Sequence, residues 1–377
     1  MNKLPNGWTQ STFGECLQYE QPTKYIVKST KYNDSYKTPV LTAGKSFILG
    51  YTNETDGIFT QTPVIIFDDF TTDTKFVDFH FKVKSSAMKI LRSNGKADIK
   101  FLYYLMQIIY HRSDTHKRYW IAEYSKIKIP LPPLAIQKQI AERLDYLFDK
   151  IDKALTFLKE NKEYIKKYRL SILKYAFEGK LTPSSKNWEI KTLNDIASFY
   201  SGYTPKKDKL NKNNIGFPYF KISDMNFEYN KKFLKISKEF TTSNKFFNKN
   251  SIAFPKNGGA IFTNKKRILL QNSVVDLNTA VLTPILHKIN LDFLFFFFYS
   301  IDLGKYVRGS ILPTIDMSKI KQIKIPLPPL ETQKEIVLIL EKKFKSMDEI
   351  ERLNNDNIEN LLLLKKSLLK EAFSGKL

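Results

Sequence analysis

A duplicated segment is the feature of this sequence that most limits how the chain folds. Residues 127–136 have the sequence IKIPLPPLAI, and residues 323–332 have the sequence IKIPLPPLET. The likeness continues without a gap at an offset of 196 residues, and 24 of the 55 pairs between 127–181 and 323–377 are identical. Both copies close on the same Phe-x-Gly-Lys-Leu motif. The chain is therefore a tandem of two related halves.

The segments that precede the two copies differ from each other. Residues 1–126 and 184–322 share little beyond an early tryptophan and a helix-like stretch near the end. Strand-like runs among Gly, Asn and Asp turns favour an α+β fold for each block. We therefore predict a first domain at 1–126 and a first repeat at 127–183, then a second domain at 184–322 and a second repeat at 323–377. The predicted strands are 63–67, 76–83, 217–222 and 251–255, and the predicted helices are 99–110 and 291–300.

Each repeat has the pattern of a short strand, a proline-rich stop and one long helix. The strands are predicted at 126–129 and 321–325. The Pro-Leu-Pro-Pro-Leu segment that follows each strand is predicted to be an extended hinge, because proline interrupts both sheets and helix interiors. No Gly or Pro lies between Leu134 and Gly179, or at the same positions of the second copy. Each repeat thus has room for a helix of about 45 residues, roughly 67 Å long.

Residues along both predicted helices recur at alternating steps of four and three, which is the spacing of a coiled coil. Such a stripe needs a partner helix, and the other repeat is the simplest partner. Asn161 and Asn357 occupy the same seam position, where Asn either fixes the register or, in a solvent-exposed stretch, has no effect. The predicted seam residues are Ile140, Leu144, Leu147, Ile151, Leu158, Asn161, Ile165, Ile336, Leu340, Met347, Ile350, Asn357, Leu361, Leu364 and Leu368.

The charge balance indicates a polyanionic partner. The chain has 61 Lys and Arg against 38 Asp and Glu, a net charge of +23 at pH 7. The first block carries +5 and the second +12. An excess of this size favours nucleic acid, although a composition generally rich in Lys and Asn is an alternative source of it.

Both blocks interleave cations, amides and aromatic residues in the way a DNA-binding surface does. Lysines suit phosphates, whereas Arg, Asn, Gln and Thr suit base edges because their donors and acceptors have fixed geometry. For any single lysine, a solvated surface position is the alternative role. The candidate DNA-binding residues are Thr60, Gln61, Thr62, Lys82, Lys84, Lys89, Arg92, Lys206, Lys207, Lys209, Lys256, Asn257, Thr263, Asn264, Lys265, Lys266 and Arg267.

Motifs for catalysis, cofactors and metals are missing from the sequence. The single cysteine, Cys16, and the spacing of the four histidines argue against a metal centre. We find no P-loop, no Rossmann glycine pattern and no Pro-Pro-Tyr or Pro-Pro-Phe motif of amino-methylation. The longest apolar stretch, residues 293–299, is too short to span a bilayer, and the N-terminus does not resemble a signal peptide. We therefore expect a cytoplasmic, non-catalytic protein with no membrane association.

These features together resemble the specificity subunit of Type I restriction-modification systems. The likeness rests on the duplicated Ile-Pro-Leu-Pro-Pro-Leu…Gln-Lys-x-Ile opening at 129–140 and 325–336, on the shared helix ending, and on two unlike blocks that alternate with the repeats. Residues 201–205 and 217–219 also resemble the opening of a target-recognition domain. In both copies the Glu-Gln pair usual in the family is imperfect.

The resemblance implies two target-recognition domains, each of which binds one half of a split site in double-stranded DNA. The two long helices are expected to pair as an antiparallel coiled coil that spaces the half-sites, in a pseudo-twofold tandem repeat of α+β class. Unlike blocks imply an asymmetric site. No catalytic, cofactor-binding or metal residue is expected in this chain. Two copies of the modification (methyltransferase) subunit would bind S-adenosylmethionine and methylate adenine at N6, and a restriction/translocase subunit would use ATP and Mg²⁺.

Two other classes of protein fit parts of the pattern. A two-headed DNA-binding protein of architectural or regulatory type would bind DNA specifically without partners. A coiled-coil adaptor with two protein-binding heads would show little salt dependence and no sequence preference, whereas DNA binding weakens steeply as salt rises.

Overall fold

The structure of the protein is a computed structural model. It describes residues 4–42, 46–109, 118–182, 188–309 and 311–376. The chain divides into two units, one made of Met1–Lys159 with Asn355–Leu377 and the other of Glu160–Asn354. Each unit therefore contains one of the two unlike blocks together with part of each repeat.

The block in the first unit consists mostly of short strands. The elements in chain order are β1 (Thr9–Thr12), α1 (Phe13–Cys16), β2 (Leu17–Glu20), β3 (Thr38–Leu41), β4 (Ile48–Thr52), β5 (Val64–Asp68), β6 (Thr74–Val77), β7 (Lys82–Val83), β8 (Met88–Ser93), α2 (Ile99–Met106) and α3 (Tyr119–Ala122). A four-stranded antiparallel sheet has the order β2-β8-β5-β6, and a three-stranded sheet has the order β4-β3-β7, with β3 and β7 parallel.

Strand β5 separates two apolar cores of this unit. Ile65 and Phe67 pack with α2 and α3, whereas Val64 and Ile66 pack with Phe59 and its neighbours on the other face. All four of these residues are buried. Side chains alternate between the two faces of a strand, so burial of consecutive residues means that both faces of β5 are covered. The strand predicted at 63–67 is thus confirmed with a shift of one residue.

The strand predicted at 76–83 is wrong as a single element. Residues 74–77 form β6, which pairs antiparallel with β5, and residues 82–83 form β7, which pairs parallel with β3. The chain changes sheets between them, so an uninterrupted strand is geometrically impossible. The helix predicted at 99–110 forms as α2 over residues 99–106; residue 110 lies outside the described part of the chain.

The first repeat helix, Leu134–Phe177, is α4. The block in the second unit contains, in chain order, β10 (Glu189–Thr192), α5 (Leu193–Ile196), β11 (Ala197–Ser201), β12 (Leu210–Asn211), β13 (Phe217–Phe220), β14 (Phe233–Leu234), β15 (Glu239–Thr241), β16 (Ile252–Pro255), β17 (Arg267–Leu269), β18 (Val274–Val275), β19 (Thr279–Pro284), α6 (Leu291–Ser300), β20 (Val307–Arg308), β21 (Thr314–Ile315) and α7 (Met317–Lys321). The larger sheet has the order β11-β19-β16-β17-β14, and a four-stranded sheet has the order β12-β15-β13-β18. Strands β20 and β21 form a separate hairpin.

Helix α6 forms over the predicted range 291–300, and its aromatic run is core. Phe293, Leu294 and Phe298 are fully buried. Asn290 caps the helix by accepting a hydrogen bond from the Phe293 N–H at 3.0 Å, which supplies a partner to one of the free donors of the first turn. The strands predicted at 217–222 and 251–255 are confirmed as β13 and β16 with shortened ends.

The two repeats begin with equivalent strands, β9 (Lys128–Leu131) and β22 (Lys324–Leu327). Strand β9 pairs antiparallel with β1, and β22 pairs antiparallel with β10. The first proline of each hinge, Pro130 or Pro326, lies inside the strand. Each sheet has only two strands, so this proline sits on an edge where its missing N–H costs no ladder bond. The predicted hinge therefore begins later than expected.

The two repeats continue as the long helices predicted. Helix α4 has 44 residues, and α8 (Leu330–Ala372) has 43. In the first unit Lys365 lies 2.7 Å from Asp152, and in the second Arg169 lies 2.6 Å from Asp348. From the first contact to the second, the chain advances 17 residues along α4 (152 to 169) and goes back 17 residues along α8 (365 to 348). The two helices therefore pair antiparallel.

The helix seam departs from the predicted register in α8. Ile336, Leu340 and Met347 are buried as expected, but Ile350 is 49% exposed, Leu364 is 46% exposed and Asn357 is also exposed. From Leu340 onward, the predicted positions of α8 that are buried or partly buried recur every seven residues, at Leu340, Met347, Leu361 and Leu368, and Asn354 belongs to the same set. A heptad seam has two inward positions per repeat, and in this part of α8 only one of them is covered. Other buried residues of the helices include Leu369 and Ala372 on α8 and Ile140, Leu144, Ile151, Leu155, Ile172, Leu173 and Ala176 on α4; Leu147, Leu158, Asn161 and Ile165 are partly buried.

One buried glutamine at the start of each long helix ties the repeat to its block. Gln137 donates to the Pro132 carbonyl at 2.7 Å and accepts from the Asp98 N–H at 2.8 Å. Gln333 repeats this with Pro328 at 2.8 Å and Asn290 at 2.7 Å. Asp98 and Asn290 are the N-caps of α2 and α6. The same side chain therefore fixes both hinge and block helix in each unit.

The aromatic residue at the end of each long helix contacts the other half's block. Phe177, at the end of α4, packs edge-on against Phe293 and Phe297 of α6. Phe373, just beyond α8, packs edge-on against Phe101 of α2. Each block is thus held by the beginning of its own repeat helix and by the end of the other.

Candidate nucleic-acid interface

Two of the predicted DNA-binding residues of the first block meet at the surface. Arg92, on β8, donates a hydrogen bond from Nη1 to Oε1 of Gln61. Its Nη2 lies 3.2 Å from a carboxylate oxygen of Glu20, at the end of the neighbouring strand β2. The Arg92 side chain remains 35% exposed, so part of the guanidinium faces solvent.

Tyr25 completes this group by donating a hydrogen bond to Glu20 at 2.9 Å. Burial, followed by this bond, raises the pKa of Tyr25. Because Glu20 offsets the charge of Arg92, the guanidinium is a weaker ligand for phosphate but keeps directional N–H donors of the kind that bind O6 and N7 of guanine. We call Glu20, Tyr25, Gln61 and Arg92 the arginine cluster.

An open pocket of ≈ 510 Å³ adjoins the arginine cluster. Gln18, Tyr19, Arg92, Trp120 and Ile121 are among the residues that line it. Tyr19 and Ile121 are exposed despite their size. The pocket thus combines apolar walls with an amide and a guanidinium, which are the groups that contact nucleobases.

The other polar candidates of the first block are dispersed. Thr60 is exposed, and the Thr62 hydroxyl donates to the Asp78 carbonyl at 3.4 Å. Lys84 follows β7 and has an exposed side chain. Thr60 and Thr62 flank Gln61 in the chain and therefore lie beside the arginine cluster, whereas no contact links Lys84 to it among the described residues.

Lys82 and Lys89 occupy buried positions instead of the surface. Lys82 is 2% exposed, and its Nζ lies 3.1 Å from Glu54 and 2.5 Å from the Asp56 carbonyl. Lys89 is also 2% exposed and lies 3.2 Å from Asp69. As folded, these ammonium groups are closed to a phosphate. We therefore leave both lysines out of the interface. Each lies on the buried face of its strand and pairs there with an acidic residue.

In the second block, the basic run 206–209 follows a motif shaped by close packing. An added Cβ on Gly202 would lie 2.0 Å from the Asp276 carbonyl oxygen, so only glycine fits there. The Tyr203 hydroxyl donates to Ser243 at 2.7 Å. The segment that follows is thereby anchored, and its candidates Lys206, Lys207 and Lys209 have exposed side chains.

The second candidate segment, residues 256–267, lies beside the first. The Gly202 N–H donates to the Thr279 carbonyl at 2.8 Å, and the Lys256 N–H donates to the Asn278 carbonyl at 2.8 Å. Both segments therefore flank the turn at 276–279. Asn257 donates from its amide to the Asn278 side chain at 3.4 Å. The structure thus brings together two groups of candidates that are about 50 residues apart in the sequence.

Lys266 and Arg267 serve largely structural roles within that segment. Lys266 is fully buried and donates to Asn264 and to the Ile301 carbonyl, both at 2.6 Å. Burial lowers the pKa of Lys266 to about 7. Arg267 donates to the Met225 carbonyl at 2.9 Å, and burial lowers its pKa. Lys266 is therefore left out of the interface, and Arg267 offers only part of its guanidinium.

The remaining candidates of this segment keep surface access. Thr263 is exposed, and Lys256, Asn257 and Lys265 are half-buried. Lys265 bonds the Asn226 side chain. Burial lowers the pKa of Lys256 and of Lys265, and Arg267 lowers that of Lys265 further. Asn264 has φ +54° and bonds the Leu303 N–H at 3.0 Å, so it holds the loop rather than projecting from it.

Sequence reasoning missed Glu20 and Tyr25 because nothing local links them to Arg92. Their proximity arises from the pairing of β2 with β8, about 70 residues apart in the chain. It also missed the β20-β21 hairpin, whose signal is a pair of apolar residues, Ile311 and Leu312, within a basic block.

The adjacent acids Asp68 and Asp69 both use their carboxylates within the fold. Asp68 accepts from the Phe70 N–H at 2.9 Å, and Asp69 accepts from the Trp120 N–H at 2.9 Å and pairs with Lys89. Across the described ranges, His, Cys, Asp and Glu form no group of three or more suited to a metal ion. Over the same ranges, the helices are not long and apolar enough to cross a membrane.

Comparison with known proteins matches the chain along most of its length. Residues 5–167 and 185–360 match the Type I restriction modification DNA specificity domain. The chain is 35% identical over 362 residues to the Type I restriction enzyme EcoR124I/EcoR124II specificity subunit of Escherichia coli, which covers 87% of this chain and 85% of that subunit. It is 24% identical over 412 residues to the Type I restriction enzyme MjaVIII specificity subunit of Methanocaldococcus jannaschii, which covers 100% of this chain and 94% of that subunit.

Solved structures share the fold. One chain from work on the complex assembly and conformational transition of the type I R-M system has a TM-score of 0.79 at 18% identity, with 100% of both chains covered. The HsdS subunit of Thermoanaerobacter tengcongensis has a TM-score of 0.57 at 17% identity, covering 100% of this chain and 98% of that one.

Tandem domains joined to paired long helices, with basic candidate surfaces on both blocks, define a DNA-recognition protein of two-domain type. The chain belongs to the family of Type I restriction-modification specificity subunits.

Proposed function

We propose that the chain recognises a bipartite, asymmetric and gapped site in double-stranded DNA, with one half bound by each unit. The observation that supports this most strongly is that equivalent repeat residues, Gln137 and Gln333, hold two unlike blocks by the same pair of hydrogen bonds. Because the two blocks are attached to their repeat helices in the same way, we infer that they have comparable roles. Their different surfaces would then bind different DNA half-sites. The arginine cluster would contact one half, and the segments 203–209 and 256–265 the other.

The paired helices would set the separation of the half-sites. Both α4 and α8 run through both units, and each begins and ends on a contact with a block helix. A change in helix length would therefore change the length of the DNA gap that is not recognised.

Exposed apolar side chains along the helices support a role in binding partner subunits. Tyr146, Phe157 and Tyr164 of α4 are each more than 60% exposed, as is Leu338 of α8. Apolar surface of this kind marks protein interfaces. The partners would be two copies of the modification subunit, which carry S-adenosylmethionine, and a restriction/translocase subunit that uses ATP and Mg²⁺. This chain would contribute no catalytic group, and its DNA substrate implies a cytoplasmic location.

The same exposed residues favour this assembly over a stand-alone architectural or regulatory DNA-binding protein. A protein that acts alone has no use for large apolar side chains along its spacer helices, which would promote aggregation.

Exchanging one block tests the proposal. Residues 188–309 and 311–322 belong to one block, so a chimaera carries a relative's second block from 184 to 322, and its complex with the modification subunit is used to methylate a random-sequence library. We expect a change in one half-site with the other half-site and the gap unchanged. In the matched control, the same segment is replaced through the same cloning steps by a gene fragment with synonymous codons, so the protein sequence is unchanged. Altered bases in both halves would contradict independent recognition, and an absence of any gapped motif would contradict the bipartite site.

A further inference from the structure

The β20-β21 hairpin of the second unit ends in an apolar tip. Ile311 is 99% exposed and Leu312 is 68% exposed. Exposure of large aliphatic side chains to water is unfavourable, and adjacent exposed ones often mark a binding site. The two residues are neighbours in the chain and belong to the connection between β20 and β21.

The hairpin is held firmly against the candidate segment 256–267. The Gly258 N–H donates to the Pro313 carbonyl at 2.7 Å, and the Ile315 N–H donates to the Lys256 carbonyl at 2.8 Å. At the base, the Asp316 N–H donates to the Tyr306 carbonyl at 2.8 Å. Backbone bonds on both sides therefore anchor the tip to the surface that we assign to DNA.

A third exposed apolar side chain, Phe262, lies beside the turn that leads into the hairpin. Phe262 is 61% exposed, and its ring lies 3.3 Å from where a Cβ on Gly304 would be. Gly304 belongs to the turn 303–306, directly before the hairpin. The absence of a side chain at Gly304 thus leaves room for the ring. The apolar tip and Phe262 together form what we call the hairpin face.

The charge around the hairpin face is positive. Apart from the buried Lys266, segments 256–267 and 302–316 contain five basic and two acidic residues. The two acids are engaged in capping: Asp302 accepts from the Gly304 N–H at 3.0 Å, and Asp316 accepts from the Ser318 N–H at 3.2 Å. Among the cations, Lys305 and Arg308 are exposed. An anionic partner is therefore favoured.

The size of the apolar tip distinguishes DNA from a protein partner. A stable protein interface buries roughly 800 Å² on each partner, whereas two exposed aliphatic side chains with basic residues in the neighbouring segments match the wedge that other proteins insert between base steps. We propose that Ile311 and Leu312 enter duplex DNA and unstack one base step in the half-site bound by the second unit. This inference rests on the DNA-binding function proposed above.

The test uses the full chain in complex with its modification subunit and a duplex carrying the site found by methylome sequencing. 2-Aminopurine replaces one base at a time in and beside the half-site, except at the methylated adenine, because its fluorescence rises when it unstacks. The variant is Ile311→Ala/Leu312→Ala, and the matched control is Leu286→Ala, which removes another exposed leucine of the same unit (56% exposed).

We expect the wild type and the control to raise the fluorescence at one step. The double variant should leave it near the value of free duplex and bind about tenfold more weakly, as the loss of two partly buried aliphatic side chains implies. The tip is exposed, so its truncation does not threaten folding. Equal fluorescence and affinity for the double variant and wild type would overturn the inference while leaving the DNA-binding function intact.

Three other outcomes also decide the matter. Wild-type binding without a fluorescence rise at any position would show that the tip does not unstack DNA. A double variant that binds DNA normally but no longer retains the modification subunit would assign the tip to a protein contact. Failure of the wild type to bind the duplex at all would overturn the proposed function, and the inference with it.

Discussion

The Gln333→Ala substitution is expected to destabilise the second unit strongly although it removes a single uncharged side chain. Gln333 is 1% exposed and makes two hydrogen bonds, to the Pro328 carbonyl at 2.8 Å and from the Asn290 N–H at 2.7 Å. Truncation leaves both backbone groups without this partner. Each buried polar group left unsatisfied costs about 1 to 3 kcal/mol, so the expected loss is about 2 to 6 kcal/mol.

The assay is urea unfolding of the full chain combined with amide hydrogen exchange. A loss of about 3 kcal/mol with a urea slope of about 2 kcal/mol per M lowers the transition of the second unit by about 1.5 M. Amide exchange should speed up at the start of α6, because Asn290 caps that helix. It should also speed up around the hinge before α8, because the Pro328 carbonyl loses its partner there. The control is Lys334→Ala, whose side chain is 56% exposed and pairs only with Glu331 among the described residues.

The equivalent substitution in the first repeat sharpens the test. Gln137→Ala should weaken the first unit by a similar amount and accelerate exchange at the start of α2, with little effect on α6. A loss below about 0.5 kcal/mol for either variant, within the range of ordinary surface substitutions, would refute the reasoning. Equal acceleration in both units from one substitution would also refute it.

Three further predictions concern recognition, pH and spacing. Arg92→Lys keeps the charge but loses the planar fork, so it should relax one base position of one half-site by about 1 to 3 kcal/mol in a methylation assay; Lys84→Ala is the control, and an unchanged motif would remove Arg92 from base recognition. Burial lowers the pKa of Lys266 in the folded protein to about 7, so between that pH and about 10.4 the unfolded chain binds more protons than the folded one. The free energy of unfolding of the wild type, measured by urea titration, should therefore rise relative to that of Lys266→Met as the pH increases through this range. Parallel pH curves for the two proteins would contradict the burial of this ammonium group. Inserting seven residues at facing positions of α4 and α8 should lengthen the spacer by about 10 Å, or about three base pairs of gap, and a gap of unchanged length in the methylated motif would show that the helices do not set it.

The long helices were predictable because the repeat and the lack of Gly and Pro constrain them locally. Helix α4 ends at Phe177, two residues before Gly179, whose φ of +74° is the left-handed conformation typical of a helix C-terminus. The register of the seam was less predictable. Ile350 and Leu364 satisfy the heptad spacing but are exposed, whereas Asn354, seven residues after Met347, is buried. Only one of the two seam positions of each heptad is covered in this part of α8, and the spacing alone does not say which.

The candidate DNA surface was predictable in composition but not in membership. Lys265 and Lys266 are neighbours in the chain, yet Lys266 is fully buried and donates a hydrogen bond to the Ile301 carbonyl, 35 residues later. The pairing of Gln61 with Arg92 likewise depends on the fold of the sheet. Burial and long-range pairing are properties of the tertiary structure, and a single sequence carries no local signal for them.

The account's central claim is that this gene determines one bipartite methylation motif. Methylome sequencing of the host with the gene intact, deleted and restored tests this claim most directly. We expect one asymmetric, gapped N6-methyladenine motif to disappear on deletion and return on restoration. An identical set of methylated motifs in all three strains, with the modification subunit shown to be active, would contradict the claim.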